Sequence, residues 1–323
     1  MTSSFPSLIL LLSSLFGAVL IGVITALANI FSEEDARRFS RFIFTVAMPL
    51  AVFNFMRQNE IPGPEYIGLA AGYLIALATT ASFAFWIARR FCHLSIRESG
   101  AAVFTTICGN AVFLGLPIAL AIPGWGRAFL MLMVLEALFV FAIGAVLMTW
   151  PEAQEVEDKK KTDFLKIRGT VFNAMIRVAR NPIIIAAFLG GLLVLFDLQL
   201  PPLVAEPLAL FGGIASPLGL FVLGLYLVIL PRAQEKMPWR LLISLLPLKL
   251  IFFPLLAAGL TYSFTGSATL TATIAFFTCL PPAVSSVVLA ATYGTLERRT
   301  AAMVAVGSVV GLTTSTAYLF MAV

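Results

Sequence analysis

Residues 104–117 read FTTICGNAVFLGLP, an apolar stretch interrupted by two glycines, an asparagine and a proline. Proline lacks a backbone N–H and displaces the carbonyl four residues earlier, which here belongs to Phe113. Gly109 and Gly115 allow backbone conformations that are closed to other residues. We therefore predict that a membrane-spanning helix breaks here, with Asn110 beside the break.

A second break is predicted in the other half of the chain. Pro281 and Pro282 remove the helical hydrogen bonds to the carbonyls of Phe277 and Thr278. Backbone groups left unpaired in lipid cost several kcal/mol each unless they face protein or a water-filled cavity. Two such breaks indicate crossing helices whose open ends face a ligand. The alternative is a pair of kinked helices that only pack, because glycine and proline are frequent in membrane helices.

The composition excludes a water-soluble enzyme. Of 323 residues, 60% are apolar and 11% are charged, and the mean hydropathy is +1.00. Because a membrane-spanning helix needs about 20 apolar residues, we predict an all-α membrane protein with ten transmembrane helices. The predicted spans cover residues 8–30, 39–56, 66–88, 99–122, 126–149, 182–197, 208–230, 241–264, 268–292 and 300–322. The first is interpreted as a retained span, because no basic residue precedes it and it is longer than a signal-peptide core.

Lysine and arginine concentrate in alternate connections between the spans. The first, third, fifth, seventh and ninth connections carry 3, 3, 7, 3 and 2 basic residues, whereas the even-numbered ones carry 1, 1, 0 and 0. Cytoplasmic loops are enriched in these two residue types. We therefore predict an integral protein of the cell (inner) membrane with cytoplasmic odd connections and both termini outside.

The two halves of the chain have matching proline positions and helix interruptions when one half is shifted by 168 residues. Pro49 then falls on Pro217, and the first break falls on residues 278–285. Five spans per half is an odd number, so the second copy inserts upside down, as in many secondary transporters with inverted repeats. The predicted segments are a first inverted repeat, a cytoplasmic linker with an amphipathic helix and a second inverted repeat, over residues 1–150, 151–181 and 182–323.

Two ionisable residues lie inside predicted spans. Glu136 is in the middle of span five and Lys249 is in span eight, and an intramembrane charge is a functional candidate by default. Glu136 is a candidate carrier of a coupled proton, or one half of a structural ion pair. Lys249 could snorkel toward the cytoplasm, pair with Glu136, or take the place of a coupling cation.

Catalytic and metal-binding patterns are missing from the sequence. The three cysteines and the single His93 do not have the spacing of metal ligands, and there is no phosphate-binding glycine-rich loop. Cys108 and Cys279 flank the two breaks, where small residues suit closely crossing helices. We therefore expect a protein that is not an enzyme and needs neither metal nor cofactor.

Five segments resemble the auxin efflux carrier family, which includes the plant PIN-type carriers and bacterial relatives described as carriers of organic acids. The segments that carry the likeness are 44–55, Asn110 to Pro117, Arg180-Asn181-Pro182, Lys249 with Pro254, and Leu280-Pro281-Pro282 followed by 289–294. The resemblance implies crossed discontinuous helices 4 and 9 in a fold related to bile-acid/sodium symporters. It also implies an elevator-type homodimer, with a scaffold of spans 1, 2, 6 and 7 and a transport domain of spans 3–5 and 8–10. Ala291-Thr292 departs from the polar residues that family members often carry, so ion-coupling details at these positions do not transfer.

The resemblance further implies a substrate site beside the crossing helices. Asn110 would contact the substrate; from the residues alone it could equally be a structural amide that satisfies loose backbone. Phe53 and Asn54 are predicted to line the pocket from span two. The predicted substrate-binding residues are Asn110, Gly109, Phe113, Pro117, Pro281, Pro282, Ser285, Pro49, Phe53 and Asn54, and the ion-coupling candidates are Glu136 and Lys249.

These observations favour a secondary active transporter for a small organic anion, either a carboxylate or an auxin-like acid. The expected partners are that anion, the lipid bilayer, a proton or sodium ion for coupling, and a second copy of the chain, with no nucleic acid. An anion channel is a rival, although it would need a continuous polar lining. A membrane sensor that binds a ligand without transporting it is the other rival.

Overall fold

The chain folds into a bundle of α-helices. The computed structural model describes residues 17–58, 63–150, 182–232 and 237–322. Within these ranges the backbone forms helices, loops and one isolated β-bridge, and no longer strand is present. The prediction of an all-helical architecture is confirmed for the described part of the chain.

The first half of the chain contributes helices α1 to α6. Their bounds are α1 Gly17–Leu27, α2 Glu33–Gln58, α3 Ile67–Arg90, α4 Ile96–Ile107, α5 Leu116–Ala121 and α6 Gly126–Met148. Ser32 and Ser95 precede α2 and α4, and each side chain accepts a hydrogen bond from the backbone N–H three residues later. The acidic side chain at that later position accepts a hydrogen bond from the serine N–H. Each pair therefore satisfies N–H groups that have no partner inside the helix.

The second half contributes helices α7 to α13. Their bounds are α7 Pro182–Leu195, α8 Pro202–Gly213, α9 Ala215–Arg232, α10 Trp239–Thr265, α11 Ala268–Cys279, α12 Ser285–Thr292 and α13 Glu297–Ala322. Gly266 ends α10 with φ of 63°, a left-handed conformation that glycine adopts without strain. The next residue, Ser267, caps α11 through its side chain.

Within the described residues, six helical segments are long and apolar enough to cross a membrane. They are Glu33–Gln58, Ile67–Arg90, Gly126–Met148, Pro202–Ile229, Trp239–Thr265 and Glu297–Leu319, and they correspond to predicted spans two, three, five, seven, eight and ten. Spans four and nine are each divided between two helices, and span six is a helix of 14 residues. The start of span one and the whole linker 151–181 lie outside the described residues. The count of ten spans therefore stays a prediction.

Wide helical turns, in which an N–H bonds to the carbonyl five residues earlier, occur at four places in the described part of the bundle. They cover Ile43–Ala47, Ala111–Gly115, Glu136–Val140 and Leu248–Phe252. Three of them end two residues before a proline, at Pro49, Pro117 and Pro254. The wide turn accommodates the bond that proline cannot make and the carbonyl that its ring displaces. Such turns often mark functional positions, and two of them contain the buried charges Glu136 and Lys249.

The helices pack closely where glycines allow their backbones to touch. α1 and α9 cross at Gly22 and Gly224, where an added Cβ atom would lie 2.1 Å from the carbonyl oxygens of Phe221 and Val19, respectively. Around the breaks, the rings of Tyr73 and Phe129 each meet Phe277, at centroid distances of 5.7 and 5.0 Å. These aromatic contacts fill the centre of the bundle, so the broken helices are enclosed by side chains from neighbouring helices.

Candidate functional site

The two helix breaks meet in the interior of the bundle. α4 ends at Ile107 and α11 ends at Cys279, and the chain beyond each is extended. The Asn110 N–H donates to the carbonyl of Pro281 at 2.8 Å, and the Ala283 N–H donates to the carbonyl of Cys108 at 3.2 Å. These two bonds form an antiparallel bridge between Gly109 and Pro282. Four backbone groups of the two interrupted segments are thus paired across the crossing.

The bridge relates residues 173 positions apart, since Gly109 pairs with Pro282. The proline positions in the sequence predict a shift of 168 residues between the two halves, which places the first break on residues 278–285. The two numbers measure different things, because a repeat shift is constant, whereas the separation of antiparallel partners falls from 175 residues for Cys108 and Ala283 to 171 for Asn110 and Pro281. A shift that aligns the prolines therefore does not identify the paired residues.

Glu136, which lies on a third helix, α6, binds the backbone of the first break. It is 6% exposed, and its Oε1 accepts a hydrogen bond of 2.7 Å from the Gly109 N–H. Charge-assisted bonds of this kind are among the stronger ones in proteins. The carboxylate of α6 therefore clamps the backbone of the crossing at the residue that pairs with Pro282.

Lys249 approaches the same residue from α10. Its side chain is 1% exposed, and its Nζ lies 3.4 Å from the position that a Cβ atom on Gly109 would occupy. The Nζ also lies 5.4 Å from the centroid of the Phe253 ring. No carboxylate of the described residues is within 4.0 Å of it, so the direct Glu136–Lys249 ion pair considered from the sequence is absent from this conformation.

Asn110 presents an unused hydrogen-bond donor at the break. The residue is 2% exposed, and its Nδ2 has no hydrogen-bond partner among the residues that the structure describes. A buried donor without a partner is unfavourable by about 1–3 kcal/mol, so it is rare unless something else satisfies it. The backbone of Asn110 is paired in the bridge, whereas its Nδ2 makes no hydrogen bond within the described residues.

Serine hydroxyls begin the half-helix that follows the second break. Ser285 is 8% exposed, with its Oγ 3.8 Å from the Cys108 Sγ. The Oγ of Ser286, the next residue, is buried without a partner. The sequence prediction includes Ser285 and not Ser286, although both carry a hydroxyl in the first turn after the break.

An apolar cavity of about 320 Å³ lies beside the crossing. Its wall comes from α2, the turn after the first break, α6 and α7. Glu136 is the one ionisable residue among the described lining residues, which are Met48, Val52, Met56, Val112, Leu130, Met133, Val134, Glu136, Ala137, Leu138, Phe141 and Phe188. Most of them were missed from the sequence, because apolar side chains in a membrane helix carry no signal that separates cavity walls from lipid contacts.

Asn54 does not line this cavity. Met48, Val52 and Met56 are four residues apart and share one face of α2. Asn54 lies midway between Val52 and Met56 in the sequence and is therefore on the opposite face. Its Oδ1 accepts a hydrogen bond of 2.8 Å from Arg57 Nε. The lining also lacks Phe53, whose carbonyl oxygen lies beside Gly190 of α7.

The remaining predicted site residues lie at or near the crossing. Pro281 and Pro282 are buried in the bridge and pack on α13 at Gly311 and Gly307. Phe113 and Pro117 belong to the chain that leaves the first break, and Pro49 is buried next to the cavity-lining Met48. Within the described residues no group of three or more His, Cys, Asp or Glu side chains could hold a metal ion.

Comparison with known families identifies the family of this chain. The profile of a family described as membrane transport protein matches residues 8–319. The chain belongs to this auxin efflux carrier family. The match confirms the resemblance seen in the five motifs, and it covers both helix breaks. A search of curated proteins finds no match to the chain. Auxin efflux carriers are membrane transport proteins rather than enzymes, so the broken helices belong to an integral membrane protein of a transport family.

Proposed function

We propose that this auxin efflux carrier relative is a secondary active transporter that moves a small organic anion, a carboxylate or an auxin-like acid. The observation that carries the proposal is the Nδ2 of Asn110, which has no partner within the described residues. It lies where two broken helices meet, next to an apolar cavity. Discontinuous helices at bilayer depth are a common way for transporters to form a substrate site.

The chemistry of the site suits a carboxylate with an apolar body. The Nδ2 of Asn110 offers N–H donors, and Ser285 and Ser286 offer hydroxyls at the first turn of α12. The start of a helix also carries partial positive charge, which favours an anion. The cavity beside the crossing would hold the apolar part of the ligand, because 11 of its 12 described lining residues are uncharged and apolar.

The proposed mechanism is elevator-type alternating access. Spans 1, 2, 6 and 7 would form the scaffold, and spans 3–5 and 8–10 would carry the crossing helices through the membrane. The cavity fits this division, since α2 and α7 supply one wall and α6 supplies the other. The protein would be a homodimer in the cell (inner) membrane with both termini outside. A proton or sodium ion would couple transport through Glu136 and Lys249, the two buried charges at Gly109.

The test is counterflow in proteoliposomes after a thermal-shift screen of carboxylates against the purified protein. A ligand that binds only the folded state raises the melting temperature, which selects the compound to be loaded. We expect uptake of the labelled carboxylate to be saturable and accelerated by unlabelled carboxylate on the opposite side. Flux without this trans-stimulation would indicate a channel, and binding without flux would indicate a sensor; either result overturns the proposal.

A further inference from the structure

Arg97 connects the ends of two other helices. It lies in the first turn of α4, where its Nε donates to the carbonyl of Met148 at 3.2 Å and its Nη2 donates to the carbonyl of Tyr293 at 3.4 Å. Met148 is the last residue of α6, and Tyr293 directly follows α12. One guanidinium group therefore bridges the carboxyl ends of α6 and α12, because its fork of donors can serve two acceptors.

The position of Arg97 is unfavourable for its own helix. A cation in the first turn of a helix opposes the helix dipole, whereas a cation at a helix end of exposed carbonyls is favourable. The start of α4 is already satisfied by Ser95 and Glu98, which form a reciprocal cap. Arg97 is thus stabilised by the two neighbouring helices and contributes nothing to the cap of α4.

The same three helices are connected again at the other ends of α4 and α12 and at the middle of α6. The last turn of α4 leads into Cys108, whose carbonyl accepts from the Ala283 N–H just before α12. Glu136 of α6 accepts from the Gly109 N–H directly after α4. α4 has 12 residues, so these bonds lie about 18 Å from Arg97 at 1.5 Å per residue. Helices α4, α6 and α12 are therefore connected at two places, at Arg97 and at the crossing. We call these three helices with their two sets of bonds the three-helix frame.

We propose that Arg97 is a positioning residue for the crossing, acting through α12 and α6. α12 has only 8 residues, too few to be stable alone, so its place depends on what holds its two ends. With its carboxyl end fixed by Arg97, the first turn keeps Ser285 and Ser286 in register with Asn110. The role at the substrate site rests on the proposed transport function, whereas the effect on the frame itself does not.

Hydrogen–deuterium exchange on the full-length protein in nanodiscs tests this inference without a ligand. The reporter amides are those of Asn110 and Ala283, which are bonded across the crossing, and that of Gly109, which is bonded to Glu136. We expect Arg97→Ala to speed exchange at these amides about tenfold or more, because the frame loses its distant connection. Arg97→Lys keeps the charge but reaches one carbonyl at a time, so its rates should lie between those of wild type and Arg97→Ala; it also serves if the alanine variant does not fold.

Arg89→Ala is the matched control. Arg89 donates to the carbonyl of Leu94 in the loop before α4, so its loss should leave the reporter amides unchanged. Faster exchange in Arg97→Ala that is confined to residues 145–150 and 290–296 would show a local cap and overturn the inference. An absence of counterflow in the wild type would overturn the transport proposal while leaving the exchange result as it stands.

Discussion

Glu136 and Lys249 approach the same residue, Gly109, without forming an ion pair with each other. The Glu136 carboxylate accepts the Gly109 N–H at 2.7 Å, and the Lys249 Nζ lies 3.4 Å from where a Cβ atom of Gly109 would be. The backbone of the broken helix therefore runs beside two buried ionisable groups. Any movement of the crossing changes the surroundings of both, which is the arrangement that a coupling device needs.

Substitution of Asn110 tests the substrate contact. Asn110→Ala should abolish counterflow while leaving expression and melting temperature near those of wild type, because its Nδ2 has no partner within the described residues. Asn54→Ala is the control, since Asn54 is also buried with an unpartnered Nδ2 but lies on the face of α2 away from the cavity. Wild-type counterflow in Asn110→Ala would remove Asn110 from the site.

Substitution of Glu136 tests proton coupling. Glu136→Gln imitates the protonated carboxyl group and keeps an oxygen to accept the Gly109 N–H, so the crossing should remain folded. If the wild type needs a proton on Glu136, its uptake falls as the pH rises, and the glutamine variant should keep its uptake at high pH. Counterflow measured from pH 5.5 to 8.5 checks this, and an identical pH profile in both proteins would reject the role.

A double-mutant cycle measures how strongly the two buried charges depend on each other. Lys249→Met should destabilise the protein, because it leaves the Glu136 carboxylate buried without a nearby cation. Adding Glu136→Gln should recover part of the loss, with a coupling energy of about 0.5–3 kcal/mol. The free energies of unfolding of wild type, both single variants and the double variant give this value. Strictly additive effects would show that the two groups act independently.

The glycine crossing of α1 and α9 offers a test of the packing. Gly22→Ala should lower stability by about 1–3 kcal/mol, since a Cβ atom there would lie 2.1 Å from the Phe221 carbonyl oxygen and would push the helices apart. Gly17→Ala in the same helix is the control, because no atom of the described residues lies within 4 Å of its Cβ position. Equal melting temperatures for the two variants would contradict this crossing.

Labelling of the linker tests the predicted topology. A single cysteine introduced within residues 151–163, in a background without native cysteines, should resist a membrane-impermeant thiol reagent added to intact cells. The expectation follows from the seven basic residues of this connection. Lysed cells should show full labelling and serve as the control. Efficient labelling in intact cells would reverse the assigned orientation.

Some features of the site were predictable because they depend on local backbone chemistry. Pro117, Pro281 and Pro282 each remove a helical hydrogen bond whatever surrounds them, and Gly109 weakens a helix, so two interruptions could be predicted from the sequence. Intramembrane Glu136 stood out for a similar reason, since a charge in an apolar span needs a partner. The partner itself, the Gly109 N–H, was not predictable because the two residues lie on different helices.

Other features depend on distances between helices and were inaccessible to pattern reasoning. Asn54 is polar and close to Pro49 along the chain, yet its place on the far side of α2 removes it from the cavity. Met48 and Val112 have ordinary membrane side chains, and only their positions in space make them cavity walls. Arg97 resembled one more basic residue of a loop until its two carbonyl partners were located.

The amino-acid sequence by itself determined that this protein lies in a membrane and that two of its helices are interrupted. Both follow from the transfer of side chains into lipid and from the missing N–H of proline, which act residue by residue. The tertiary structure alone decided that Gly109 pairs with Pro282, that Glu136 and Lys249 share that glycine, and that Arg97 connects two helix ends. These contacts join residues far apart in the chain, and they depend on how the whole bundle packs.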